Sequence, residues 1–469
     1  MKFTPHPYQM RAMQLMMSQA SLGLFLDPGL GKTATWLAAF TTLKKLGLVD
    51  KMLVVVPLKP MYGTWPTEID KYDEFNHLTW CFLHGPDKDY HLANTDADVY
   101  LVNPEGIQWL VSKSNPSAIA DVLCVDESTK FKSSSSKRFK SLRRIFPKFQ
   151  YRWIGTGTPA PNGLEDLFAQ VFILDGGQAL GSYITHFRNK WFFTEPWNPY
   201  MWIPTDTAFN EITAAIAPLV VVMEATDYLD MPDLNVVDKF VTLPPKIAKL
   251  YKEVEEEFIA TLPDTQSVLT APTQAAAGAK CRQIANGAVY VSTEEHVQAH
   301  KQGVDNYEVL HDEKLDLLDE LLEEIGEHPT LVVYEFRHDL QRISMRHLDW
   351  PCLTGMSGEC LQNIITQFNT GRIPRLLIQS SQAHGLNIQA NCHHMIWFGI
   401  TWNWEDYKQM VDRLYRQGQS SSMVMVYRLL AEGTLDIDVA KRLELKRIEE
   451  ANVKQEAKRI GDRLRNGVG

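Results

Sequence analysis

The sequence predicts an α/β protein of two tandem parallel-sheet lobes, with mainly helical insertions between the lobe cores. Three observations carry that prediction. In the first third, short runs rich in β-branched or aromatic residues at 22–26, 52–56, 99–102, 122–125 and 151–154 alternate with amphipathic stretches. A second series at 331–334, 375–378, 394–397 and 423–427 repeats the alternation late in the chain. A glycine-rich run, Asp27-Pro-Gly-Leu-Gly-Lys-Thr33, follows the first strand-like run and precedes an apolar helical segment. Apolar strands bounded by polar or glycine-containing segments are the pattern of parallel sheets buried on both faces, with functional loops at their carboxyl ends.

At 469 residues the chain exceeds one typical domain. Hydrophobic residues at 45% and charged residues at 22% fit a globular protein. No apolar run approaches the roughly 20 residues of a membrane span, and the N-terminus lacks a signal-peptide layout. Six scattered cysteines show neither zinc spacing nor a dense disulfide framework, so a reducing, cytoplasmic setting is expected. Net charge is −10, yet no acidic residue occurs between Ser128 and Leu164. That stretch carries Lys130, Lys132, Lys137, Arg138, Lys140, Arg143, Arg144, Lys148 and Arg152. It is a candidate phosphate footprint, against the plainer reading of a solvated basic helix.

The expected division is a first lobe over 1–225 with a helical and aromatic insertion after about 165, a helical connection over 226–310, and a second lobe over 311–469 ending in a charged helix. The aromatics Tyr183, Phe187, Trp191, Phe192, Phe193, Trp197, Tyr200 and Trp202 are expected to form a small core rather than a stacking surface. Residues 275–278 and 292–306 read as loops.

The chemistry sits in separated short motifs. Gly29 and Gly31 let backbone N–H groups turn inward around phosphate oxygens, with a helix N-terminus behind them. Lys32 is placed to meet the β- and γ-phosphates of ATP, and the Thr33 hydroxyl to ligate Mg²⁺. The strict phosphate-loop pattern is not met, because Leu26 occupies the first glycine position. The run at 122–125 delivers Asp126 and Glu127, one to hold Mg²⁺ through water and the other to orient or deprotonate the attacking water. Arg413 and Arg416, at i and i+3, are expected on one helix face, where a second lobe closes over the same nucleotide. Their plainer reading is a surface pairing with Asp412 or Glu405.

Taken in order, these motifs resemble the Swi/Snf-like branch of superfamily 2 helicases and translocases, from about residue 5 to residue 445. Pro7-Tyr8-Gln9 is similar to that family's Q motif, whose glutamine reads adenine. Residues 54–57 with Trp65 and Glu68 resemble motif Ia, and Thr156-Gly-Thr-Pro159 with Asn162, Leu164 and Glu165 resembles motif III. The segments 314–322 and 332–336 resemble the entry to the second lobe and motif IV. Residues 380–389 resemble motif V, and Trp402-Asn403 with 409–419 resembles the tryptophan-asparagine element and motif VI. Ser128 and Thr129 stand where Ala-His is usual, Pro161 where glutamine is usual, and His384 and Asn387 replace glycines of motif V.

The resemblance implies two RecA-like lobes forming an ATP- and Mg²⁺-dependent motor that acts as a monomer on DNA, most plainly duplex or branched DNA, in replication, recombination or repair. It implies a compact protein of bacterial or bacteriophage type, at the nucleoid of a bacterial or phage-infected cell. Candidate nucleic-acid contacts are Lys59, Lys130, Lys132, Gln382 and His384. The competing readings are an RNA-directed helicase of the same superfamily, and a non-motor binding protein with a vestigial nucleotide site.

Overall fold

The computed structural model describes residues 1–113, 120–262, 268–271, 273–291, 307–356, 358–382 and 386–466. They fall into two compact units, Met1–Leu229 with Lys446–Gly469, and Asp230–Leu445. The stretch 226–310 lies almost wholly in the second unit, while the C-terminal part of the helix Leu435–Arg465 belongs to the first.

The first unit is built on seven parallel strands: β1 (Ser21–Leu26), β2 (Met52–Val55), β3 (Trp80–Phe82), β4 (Val99–Val102), β5 (Val122–Asp126), β6 (Tyr151–Thr156) and, beyond an antiparallel hairpin of β7 (Phe192–Glu195) and β8 (Asn198–Pro204), β9 (Val220–Met223). Their order is β3-β4-β2-β5-β6-β1-β9. Successive side chains alternate between two buried faces, as the period of a strand demands. Leu53 and Val55, with Leu123 and Val125, enter one core, whereas Met52 and Val54, with Val122 and Cys124, enter the other. The helix Lys32–Lys45 covers the second face with Trp36, Leu37, Phe40 and Leu43.

The second unit repeats the plan. Strands β10 (Asp233–Val241), β15 (Thr330–Tyr334), β16 (Arg375–Gln379), β17 (His394–Trp397) and β18 (Met423–Ala431) are parallel in the order β10-β18-β17-β15-β16. Leu331 and Val333 pack on one face, and Val332 and Tyr334 on the other. The antiparallel pairs β11 (Ile259–Thr261) with β12 (Val268–Thr270), and β13 (Ala288–Tyr290) with β14 (Tyr307–Val309), flank the helices Pro245–Glu257 and Gln274–Ala285.

Three local expectations change. Residues 275–278 are not a loop but the first turns of the helix Gln274–Ala285, where Thr273 caps the N-terminus through Ala276 N and the alanines supply propensity. Strands β9 and β10 lie inside the stretch read as insertion and connection. The aromatic segment divides. Phe187, Trp191 and Phe192 join the core, but Tyr183, Phe193, Trp197 and Tyr200 are exposed, Tyr200 at 91%, the last three on the β7–β8 hairpin. Residues 292–306, also read as a loop, lie outside the described residues.

Candidate active site

The phosphate loop leaves the carboxyl end of β1, and the helix that follows begins at Lys32. Gly29 and Gly31 have φ of 91° and 70°, a left-handed backbone that admits side chains only at a cost. A Cβ on Gly31 would lie 2.5 Å from Gln9 Nε2. The loop therefore sits directly against Gln9, whose amide donates to Leu30 O at 3.3 Å while its oxygen accepts from His6 N at 2.9 Å. Lys32 Nζ donates to Leu26 O at 2.7 Å. Burial pushes its ammonium below the usual lysine range, and Glu127, Asp126 and Asp27 oppose that shift. Asp27 accepts from Ala225 N at 3.1 Å and from Lys454 Nζ at 2.6 Å.

Strand β5 carries Asp126 to the same sheet edge. Trp65 Nε1 donates to Asp126 Oδ2 at 3.0 Å, and the buried Trp65 ring stacks on Trp36 with centroids 6.0 Å apart. Packing thus fixes the indole that orients the carboxylate. Burial pushes the Asp126 carboxyl up, while the Trp65 hydrogen bond and Lys32 pull it back. Glu127 adopts φ 60° although it is not glycine. Such backbone costs about 1–3 kcal/mol and persists where surrounding contacts enforce it. Here the Thr156 and Thr129 hydroxyls both donate to Glu127 Oε1, at 2.7 and 3.1 Å.

Ser128 donates to Gln170 Oε1 at 2.7 Å, and Gln170 Nε2 donates to Pro159 O at 2.7 Å. The unusual Ser128 and Thr129 thus link the Asp-Glu turn to the Thr156–Pro159 segment within the first unit. Sequence reasoning missed Gln170. Its signal was a single amide inside the apolar helix Asp166–Asp175, where it is fully buried. Lys454 carried no local signal at all.

Lys59 is exposed on the short helix Leu58–Tyr62, and Lys130 and Lys132 are half-buried at the 3₁₀ turn Ser128–Phe131. The basic stripe divides beyond it. Arg138 pairs with Glu105 at 3.3 Å and Arg143 lies 4.7 Å over the Phe172 ring, while Lys137, Lys140 and Arg144 are exposed.

In the second unit Arg413 and Arg416 are not on a helix face, because the helix Trp404–Val411 ends before them. Leu414 turns fully into the core, and Arg416 N bonds only as far back as Leu414 O. The turn still sends both side chains to one place. Arg413 reaches Leu386 O at 3.4 Å and Arg416 reaches Asn387 Oδ1 at 3.1 Å. Asp412, one of the two partners in the plainer reading of a surface pair, is instead bonded by Lys408 at 2.8 Å. Burial pushes the Arg416 guanidinium below its usual value, against Asp412, and its Nε is buried without a partner. Gln382 ends the 3₁₀ turn Ser380–Gln382, where Ser380 donates to Glu335 Oε2 at 2.5 Å. His384 lies outside the described residues.

A left-handed glycine loop opening a helix, an Asp-Glu pair on a nearby strand of the same parallel sheet, and a second parallel-sheet unit with an arginine pair define a tandem RecA-like P-loop ATPase. The SNF2-related domain matches residues 8–255, and the helicase conserved C-terminal domain matches residues 313–418. The chain belongs to the SNF2 family, the Swi/Snf-like branch of superfamily 2 helicases and translocases, and is an ATP-binding, ATP-hydrolysing enzyme of that family. It is 31% identical to protein p41 of Acyrthosiphon pisum secondary endosymbiont phage 1, over 95% of this chain and 96% of that one. It is 22% identical to YwqA of Bacillus subtilis, designated an ATP-dependent helicase/translocase, over 95% of this chain and 48% of YwqA. It is 24% identical to the Homo sapiens DNA excision repair protein ERCC-6-like, over 89% of this chain and 38% of that protein. The chain thus spans nearly all of the phage protein but half or less of the two longer relatives. No helix among the described residues is long and apolar enough to cross a membrane.

Proposed function

We propose that this ATPase is a translocase that tracks double-stranded or branched DNA, hydrolysing Mg²⁺-ATP as it moves, in replication, recombination or repair. The observation that carries the DNA assignment is the exposed Lys137, Lys140 and Arg144, just beyond the Asp-Glu turn in a chain whose net charge is −10. A basic surface beside a nucleotide site, in a chain otherwise acidic, suits a phosphate backbone gripped without regard to sequence. The name of the ERCC-6-like relative points the same way.

In this reading Gln9 reads adenine, the Gly29–Gly31 backbone and Lys32 hold the phosphates, and Glu127 orients or deprotonates the attacking water. Arg413 and Arg416 neutralise charge on the transferred phosphoryl group. Thr33 and Asp126 would hold Mg²⁺. Among the described residues no group of three or more His, Cys, Asp or Glu side chains forms a metal cage, which suits an ion bound largely through phosphate and water. When bound, Mg²⁺ neutralises phosphate charge. Lys59, Lys130, Lys132, Gln382 and His384 are the proposed DNA contacts, joined by the exposed Lys137, Lys140 and Arg144 of the same basic stripe, and the chain acts as a monomer in the cytoplasm at the nucleoid.

The test is ATP turnover with no nucleic acid, single-stranded DNA, duplex DNA, branched DNA or RNA. Stimulation by duplex or branched DNA is expected, falling steeply with salt. Stimulation by RNA alone would give the chain to the RNA helicases, and no turnover under any condition would mark the site as vestigial.

A further inference from the structure

The helix Leu435–Arg465 lays a row of side chains, spaced every fourth residue, along the first unit. Lys446 Nζ reaches Asn162 Oδ1 at 3.3 Å, Lys458 pairs with Asp227, and Asp462 pairs with Arg11 at 3.0 Å. Most contacts in this row lie at exposed or half-exposed positions and serve to dock the helix. Lys454 differs. Its side chain is only 5% exposed, and it meets the residue from which the phosphate loop departs, Asp27 Oδ1, at 2.6 Å. Glu450, 3% exposed, stands one turn back with its carboxylate 3.9 Å from the ammonium.

A buried ion pair is a poor device for stability, because desolvation offsets most of the attraction. An apolar pair would dock the helix as well. What the ion pair adds is direction. Asp27 is held by Ala225 N on one side and by Lys454 on the other, so its side chain has little freedom. The turn from Asp27 to Lys32 inherits that constraint.

We propose that Lys454 is a positioning residue of the nucleotide site, clamping Asp27 so that the phosphate loop is preformed for a polyphosphate. The inference rests on reading the loop as an ATP site. It makes the C-terminal helix a component of that site, although the helix lies beyond both matched domains.

The test uses the full chain with Lys454→Ala, Lys454→Arg and Lys458→Ala. Two quantities are measured: hydrogen exchange at the amides of 27–33 without nucleotide, and the dissociation constant of a fluorescent ATP analogue. Lys454→Ala should speed exchange and weaken binding, each by about tenfold, as loss of a charged hydrogen bond would. Under saturating ATP its kcat should change far less than its KM. Lys454→Arg should restore most of both losses, and Lys458→Ala, which removes only a docking contact, should match the wild type. Unchanged exchange and affinity in Lys454→Ala, or equal effects from Lys458→Ala, overturn the proposal. A wild type that binds no analogue, with the exchange contrast intact, overturns the nucleotide role and shows that the ATP-site reading itself has failed.

Discussion

The Thr156 hydroxyl donates to Glu127 Oε1 across 2.7 Å, joining the last residue of β6 to the residue just beyond its parallel neighbour β5. Thr129 reaches the same oxygen at 3.1 Å. Two hydroxyls thus hold the carboxylate in a fixed place while the backbone beneath it is left-handed. Glu127→Gln should keep ATP affinity within about threefold but lower turnover by at least ~10², the range for losing a general base. Thr156→Val should lower turnover about tenfold without weakening nucleotide binding. Because the two act as a unit, the double variant should be no slower than Glu127→Gln alone. Additive losses in a steady-state cycle would show that Thr156 acts elsewhere.

Burying the Asp126 carboxyl costs stability. Burial raises its folded-state pKa, so as pH rises the unfolded chain ionises first. The penalty builds as pH rises from the ordinary carboxylate range to the raised folded value. Asp126→Asn keeps an oxygen for Trp65 Nε1 and removes the buried charge. Its nucleotide-free form should melt about 2–4 °C higher at pH 7, which corresponds to ~1 kcal/mol in a unit of this size. The gain should shrink as pH falls toward the ordinary carboxylate range, and ATP turnover should be lost. A melting point lowered at pH 7 would contradict this account.

Arg416 is held by Asn387 yet keeps one nitrogen buried without a partner. Arg416→Ala should reduce turnover by ~10³ or more if it neutralises phosphoryl charge. Arg416→Lys should remain strongly impaired, because a point charge cannot replace a planar fork. Circular dichroism should show both variants folded. Normal turnover in Arg416→Ala would remove the residue from the catalytic set.

The second unit should weaken in mild acid. His311 is buried with Nε2 2.8 Å from Ile284 O, and burial pushes its pKa down to about 4. The unfolded chain therefore takes up the proton first, near the ordinary value of about 6.5. Stability is complete above that value and is lost as pH falls toward 4, at up to about 1.4 kcal/mol per pH unit. His394, also pushed to about 4, acts in the same direction, though its greater exposure weakens the effect. Urea unfolding between pH 7.5 and 5 should show the decline, and His311→Gln should flatten it by about one proton.

The strands that sequence reading located were short apolar runs such as β2 and β15, because burial on both faces leaves a signature in every residue. Strand β9, Val-Val-Val-Met, carries the same signature and was passed over inside the stretch read as an insertion. Strand β10 was hidden. Its Asp-Leu-Asn-Val-Val-Asp-Lys-Phe-Val pattern mixes charge with apolar residues, since an edge strand is half solvated, and only nine paired residues of β18 make it a strand. In the site, short motifs were legible because their residues are contiguous. The spacing of Arg413 and Arg416 was legible but their backbone was not, since the helix ends at Val411 and Leu414 enters the core from the turn beyond it. Gln170 left the trace of one amide in an apolar helix, but its partners, and Lys454 altogether, could be found only in three dimensions, where a distant side chain meets the motif.

Asp27 and Lys454 are 427 residues apart. On a ribosome adding about 5–20 residues per second, that separation is a delay of roughly 20 to 85 s. The glycine turn and its lysine therefore emerge long before the side chain that anchors them. For that interval a nascent chain carries the nucleotide motif without its clamp, so tight ATP binding should arrive as a late event, once residue 454 has emerged, rather than with the folding of the first sheet.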